Sequence, residues 1–129
     1  MSPELQMLLY STTLGLAQML LAFLFKAQKY GLGWAFTNRE QSMPALEGVG
    51  GRTQRAFHNF RETFPLFVAL VLLAAVLNRH DSLTLWGAQL YFWGRLAYLI
   101  VYMAGIKYLR TLVWLASVVG LVLLLIALF

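Results

Sequence analysis

Residues 52–65 read Arg52-Thr-Gln-Arg55-Ala-Phe-His-Asn59-Phe-Arg-Glu62-Thr-Phe-Pro65, and the apolar run from Leu66 to Leu77 follows them directly. On a helix, at about 100° per residue, four of these side chains fall within one narrow stripe: Arg52, Arg55, Asn59 and Glu62. The stripe lies where a membrane span begins. Placing a carboxylate there costs free energy unless it pairs with another group or binds a ligand. The stripe is therefore a candidate functional site.

The composition is that of a membrane protein. The 129 residues are 60% hydrophobic and only 12% charged, and the apolar residues come in blocks. Soluble domains carry roughly 25% charged residues, whereas a block of about 20 apolar residues is what a bilayer span requires. We therefore predict an all-α integral membrane protein with no separate soluble domain.

The apolar blocks predict four transmembrane helices within a single domain over residues 1–129, at about 5–25, 62–78, 82–105 and 111–129. The second helix is expected to start near Arg52 and to kink at Pro65. In the first span, Gln18 is expected to make an interhelical hydrogen bond. The connections predict an up-down-up-down four-helix bundle.

The loop at residues 30–51 is rich in glycine, which predicts that regular structure is broken there, with a polar turn at Asn38-Arg39-Glu40. This loop with the cations that flank it (Lys26, Lys29, Arg52 and Arg55) and the expected turn from Gly105 to Arg110 hold most of the Lys and Arg residues. By the positive-inside rule both should face the cytoplasm, and both termini should lie on the other side.

The net charge of +5 does not indicate a nucleic-acid partner, because the basic residues lie at the ends of apolar blocks rather than in one continuous patch. Cysteine is absent, so disulfides and thiolate ligands are excluded. His58 and His80 are expected on opposite sides of the bilayer. We therefore predict no metal site.

A second polar stripe lies on the third predicted span, where four side chains share one helical face: Tyr91, Arg95, Tyr98 and Tyr102. Arg110 follows at the same end of the bundle. Guanidinium groups, a carboxylate and phenols together suit a small ligand with charges of both signs. A structural alternative is that Glu62 and Arg95 form an intramembrane ion pair, while Arg61 reaches to lipid headgroups.

The motif Arg52-x-x-Arg55-Ala56-x-x-Asn59-x-x-Glu62-x-x-Pro65 resembles the signature of the MAPEG family, the membrane-associated proteins in eicosanoid and glutathione metabolism. Gly94-Arg95-Leu96-Ala97-Tyr98-x-x-x-Tyr102, followed by Arg110, is similar to the third-helix region of that family. The resemblance covers nearly the whole chain, and is closest to short bacterial members that are similar to microsomal glutathione transferases.

The resemblance implies a homotrimer in a bacterial inner membrane, with the active face in the cytoplasm and glutathione as co-substrate between neighbouring protomers. The implied activity is that of a transferase or peroxidase acting on a lipophilic small molecule. The implied catalytic residue is Arg110, which would stabilise the glutathione thiolate. Six residues are implied to bind glutathione: Arg52, Arg55, Asn59, Glu62, Tyr98 and Tyr102.

Two positions depart from relatives that form leukotrienes. Phe57 stands where those relatives carry a glutamine, and Thr63 replaces their tyrosine, so leukotriene synthesis is not expected. A second hypothesis stays open beside the enzyme. It is a non-catalytic integral membrane trimer whose polar stripes bind a lipid or a partner protein.

Overall fold

The computed structural model describes residues 1–37 and 43–129, and the described residues form helices and their connections. Five helices follow one another along the chain: α1 (Pro3–Tyr30), α2 (Leu32–Ala35), α3 (Gly48–Val76), α4 (Ser82–Ala104) and α5 (Lys107–Leu128). The predicted turn at Asn38-Arg39-Glu40 lies outside the described residues. The prediction of an all-α protein is confirmed for the part of the chain that is described.

Three of the helices are long and apolar enough to cross a membrane: α1, α3 and α5. Helix α4 has 23 residues, but Gln89 and Arg95 lie among its apolar side chains and lower its hydropathy. The count of four spans therefore stays a prediction, as do the limits of the membrane-embedded segments.

The four long helices alternate in direction, as hydrogen bonds at the two ends of the bundle show. At one end, Thr84 Oγ1 at the start of α4 donates to Glu4 Oε1 at the start of α1, over 2.7 Å. At the other end, Arg52 Nε at the start of α3 donates to the Met103 carbonyl at the end of α4, over 3.0 Å. The cations Lys26, Arg55 and Arg110 belong to this second end.

Small residues bring the helix backbones close together. A Cβ added at Gly120 of α5 would lie 2.6 Å from the carbonyl oxygen of Gly87 in α4. One at Gly15 of α1 would lie 2.8 Å from Cε1 of Phe60 in α3. Side chains at these positions would force the helices apart, so the glycines determine how tightly the bundle closes.

The start of α3 differs from the prediction, because the helix begins at Gly48, one turn before Arg52. Its first-turn glycines permit close packing and do not break the helix. A Cβ at Gly51 would lie 2.5 Å from the Leu46 carbonyl oxygen, and one at Gly50 would lie 3.3 Å from Phe25. The helix then continues through Pro65.

The connection between α4 and α5 is shorter than predicted. Gly105, with φ at 80°, ends α4 in the left-handed conformation, and α5 begins at Lys107. Glycine adopts this conformation without the steric cost that a side chain would bring, so the chain reverses within two residues. Arg110 therefore lies in the first turn of α5 and not in the connecting turn.

The interior of the bundle is mostly apolar and aromatic, with Phe67 and Tyr91 stacked at 4.0 Å between ring centroids. Gln18 is buried, but its Nε2 has no hydrogen-bond partner among the described residues. The interhelical hydrogen bond predicted for Gln18 is therefore not formed by this nitrogen.

Candidate functional site

The two polar stripes meet at the end of the bundle where α3 and α5 begin and α4 ends. The side chains that come together there are Arg55 and Asn59 from α3, Tyr98 and Tyr102 from α4, and Arg110 from α5. Each stripe predicted from sequence occupies one helical face. The antiparallel packing of α3, α4 and α5 then brings residues far apart in sequence into one site.

Tyr102 lies between two guanidinium groups. The Cζ atom of Arg110 is 4.7 Å from the Tyr102 ring centroid, and the Cζ atom of Arg55 is 6.0 Å from it. Arg55 Nε also donates to the Tyr102 hydroxyl over 3.3 Å. The phenol ring therefore positions two cations that would otherwise repel each other, and their combined charge favours an anionic ligand.

Arg95 is 1% exposed and contacts two residues of the site. Its Nη1 donates to Asn59 Oδ1 over 2.8 Å, and its Cζ atom is 4.4 Å from the ring centroid of Tyr98. Arg95 thus orients two residues that were predicted to bind the ligand. Asn59 keeps its amide N–H groups, which can donate to an anion.

The predicted ion pair between Glu62 and Arg95 is not formed in the part of the chain that the structure describes. Among the described residues, the only ion pair within 4.0 Å joins His80 and Glu4 at the opposite end of the bundle. Glu62 lies exposed on the outer side of α3, whereas Arg95 points into the interior and binds Asn59. The hydrogen-bond acceptor for Arg95 is therefore the amide oxygen of Asn59 and not the predicted carboxylate of Glu62.

Two clefts open beside these residues. The smaller, of about 160 Å³, is lined by Asn59, Tyr98, Arg110, Thr111 and Trp114. The larger, of about 480 Å³, lies between the end of α1, the start of α3 and the segment that connects them. Its polar and aromatic lining includes Lys26, Tyr30, Trp34, Gln54, Arg55 and His58.

A comparison with protein families identifies the chain. A family model described as "MAPEG family" matches residues 7–129, nearly the whole length. The chain belongs to the MAPEG family. No curated protein matches it. Membership agrees with the long apolar helices and indicates a membrane protein of the group associated with eicosanoid and glutathione metabolism.

Two of the predicted ligand-binding residues of this MAPEG protein do not take part in the contacts that hold the cluster together. Arg52 donates to the last turn of α4 and lies 3.6 Å from the position of a Cβ at Gly105, so it caps that helix end. Glu62 faces outward from α3. The other five residues predicted from the sequence come together: Arg55, Asn59, Tyr98, Tyr102 and Arg110.

Two residues of the smaller cleft were not predicted from the MAPEG sequence. Thr111 follows Arg110 directly, and Trp114 lies one helical turn after Arg110, so both can reach the same cleft. The four-residue spacing from Arg110 to Trp114 indicates a shared helical face. The sequence prediction places Arg110 in a turn, where helical spacing does not apply, and so it does not include Trp114.

Proposed function

We propose that this protein is a membrane-bound, glutathione-dependent transferase or peroxidase. It would span a bacterial inner membrane four times, as a homotrimer with its active face in the cytoplasm. The observation that carries the proposal is the position of Arg110, stacked on Tyr102 at 4.7 Å and lining one cleft with Asn59 and Tyr98. A cation held beside hydrogen-bonding groups suits a thiolate.

The chemistry follows from the charge of Arg110. A thiol with an ordinary pKa is mostly protonated at neutral pH, and a neighbouring guanidinium lowers the pKa by favouring the thiolate. The thiolate is the nucleophile, and it forms a thioether with a lipophilic electrophile by displacing its leaving group or by adding to an activated double bond. With a hydroperoxide it would cleave the peroxide bond to give an alcohol and glutathione sulfenic acid, which a second glutathione converts to the disulfide and water. Arg110 also lies in the first turn of α5, where the positive end of the helix dipole adds to the effect.

Arg55 is assigned to binding. Its guanidinium lines the larger cleft, together with Lys26 and His58, and its Nε bonds the Tyr102 hydroxyl. Guanidinium groups bind carboxylates through paired hydrogen bonds, and glutathione carries two carboxylates. The peptide would thus extend from the larger cleft towards Arg110.

The size of the smaller cleft supports a site shared between protomers. Its volume of about 160 Å³ is below the roughly 300–1,000 Å³ of typical ligand pockets. Glu62 and the outer side of α3 are exposed next to the cluster. A neighbouring chain packed there would enclose a larger site and bring Glu62 into contact with ligand or protein.

The test is a titration of glutathione into the purified protein, following thiolate absorbance and conjugation of a lipophilic electrophile. We expect Arg110→Ala to lose the thiolate signal and to slow conjugation by about 10²-fold, because the stabilising charge is removed. Arg55→Ala should instead raise KM for glutathione with a smaller effect on kcat. Lys107→Ala is the matched control: it removes a cation from the same helical turn but does not line the cleft.

Retention of both the thiolate signal and the rate by Arg110→Ala would show that this residue is not catalytic. If the wild type shows neither signal, the second hypothesis, a non-catalytic trimer that binds a lipid or partner protein, replaces the enzyme. One observation favours that hypothesis: Arg95 already engages Asn59 Oδ1 and the face of Tyr98 within the protomer.

A further inference from the structure

A buried carboxylate, that of Glu4, lies at the end of the bundle opposite the cluster around Arg110. Glu4 is in the first turn of α1 and is only 3% exposed. Its Oε1 accepts a hydrogen bond from Thr84 Oγ1 in the first turn of α4, over 2.7 Å. Its Oε2 is also buried but accepts no hydrogen bond from the described residues. Because a carboxylate shielded from water is costly without a partner, the group that faces Oε2 matters for stability.

That group is the imidazole of His80, whose Nδ1 lies 3.6 Å from Glu4 Oε2. His80 belongs to the short connection between α3 and α4. Its side chain is 44% exposed, whereas the side chain of Glu4 is 5% exposed. The pair therefore joins a group that exchanges protons with solvent to a group that is shielded from it. The imidazole attracts the carboxylate only when it is protonated, and histidine changes charge between about pH 5 and 8.

The other charged groups at this end of the bundle engage different atoms. Arg79 Nη1 donates to a backbone carbonyl in the last turn of α5 over 3.3 Å. Asp81 Oδ1 accepts from the backbone N–H of Thr84 over 3.0 Å and so caps α4. The last turns of α3 and α5 are apolar, and the amino group of Met1 belongs to an exposed residue. In the part of the chain that the structure describes, His80 is the cation within 4.0 Å of the buried carboxylate.

We infer that Glu4 and His80 form a pH-dependent clasp, which fastens the start of α1 to the connection between α3 and α4. When His80 is protonated, the ion pair and the hydrogen bond from Thr84 engage both carboxylate oxygens. When His80 is neutral, Oε2 stays buried but loses its charged partner, so the start of α1 is held less tightly.

The sign of the pH dependence follows from this arrangement. Because the folded protein favours the protonated imidazole, the clasp contributes stability at low pH and loses it as the pH rises. The contribution should be present at about pH 5–6, where carboxylates are ionised and histidines are protonated, and absent by about pH 8. The inference goes beyond the proposed function and does not depend on glutathione binding.

The experiment measures the melting temperature of the full-length protein in detergent at about pH 5.5 and about pH 8. Between these conditions, the melting temperature of the wild type should fall by about 4 °C more than that of His80→Gln, which cannot be protonated. The exposed position of His80 allows this variant to fold. His58→Gln is the matched control, because it removes the other histidine, at the opposite end of the bundle, and should keep the pH dependence of the wild type.

A second variant tests the carboxylate. Glu4→Gln keeps an acceptor for Thr84 but removes the negative charge, so it should also lose the additional pH dependence. Adding His80→Gln to Glu4→Gln should then change the pH dependence no further, because the two residues act as one pair.

Hydrogen exchange locates the effect in the structure. Wild type and His80→Gln should show equal protection of the backbone amides near the start of α1 at about pH 8, whereas the wild type should be better protected at about pH 5.5. The same pH dependence of melting in wild type and His80→Gln would overturn the clasp. So would a loss of that dependence in His58→Gln, or equal protection of α1 in wild type and His80→Gln at the lower pH.

Discussion

Arg95 has the lowest exposure of any charged side chain in the described part of the chain, and Asn59 is its hydrogen-bond acceptor. Hydrogen bonds to charged groups contribute about 1.5–3 kcal/mol, and a buried charge that loses its partner is costly. We therefore expect Asn59→Leu to destabilise the protein by about 1.5–3 kcal/mol. Thermal melting of the purified protein in detergent measures the effect.

Asn59→Asp is the matched control, because its carboxylate still accepts from Arg95 and should preserve the melting temperature. Glu62→Gln should destabilise less than Asn59→Leu, since Glu62 is exposed and makes no ion pair with Arg95 in the structure. If Glu62→Gln is instead the more damaging change, a neighbouring chain must supply a partner that buries Glu62.

At the scale of the helices, the packing of α4 against α5 depends on the crossing of Gly87 and Gly120. A Cβ at Gly120 would lie 2.6 Å from the Gly87 carbonyl oxygen and 2.8 Å from the Tyr91 backbone nitrogen. Both contacts are backbone atoms that cannot rotate away. Gly120→Ala should therefore separate the helices and destabilise the protein by about 1–3 kcal/mol, the usual cost of overpacking.

Gly33→Ala provides the control for this substitution. An added Cβ at Gly33 meets nothing within 4 Å, so the same chemical change should leave the melting temperature unchanged or slightly raised. The separation of α4 from α5 would also move Arg110 relative to Tyr102. Equal melting temperatures for Gly120→Ala and wild type would show that the crossing is wider than the structure indicates.

At the scale of the whole molecule, the two ends of the bundle should lie on opposite sides of a membrane. Glu47 and Ser82 are exposed at opposite ends, and the chain has no cysteine of its own. Glu47→Cys and Ser82→Cys should therefore react with a membrane-impermeant maleimide from opposite sides of sealed vesicles, with Glu47→Cys on the cytoplasmic side. The unsubstituted protein controls for background labelling, and reaction of both from one side contradicts the topology.

The sequence by itself determined the class of the protein, the family resemblance and the two stripes. A long apolar segment in a bilayer must form a helix, or a strand of a closed barrel, because unpaired backbone N–H and C=O groups are too costly there. The spacing of residues along a helix then shows which side chains share a face, without any tertiary information. For this reason the shared face of Tyr91, Arg95 and Tyr98 was predictable, and the structure shows that this face is buried. The start of α3 at Gly48 was not predictable from the sequence. Glycines in a sequence usually indicate a loop, and only the structure shows that these ones allow close packing against neighbouring residues.

Only the tertiary structure decided which polar groups become partners. A stripe gives a direction around the helix axis, but partner choice depends on distances across helices, which the glycine contacts between α1, α3, α4 and α5 determine. Arg95 could reach either Asn59 or Glu62 from its stripe, and the packing presents Asn59 to it. In the same packing, Arg52 donates to the last turn of α4 and not to the cluster. Arg55 and Arg110 both lie against the ring of Tyr102.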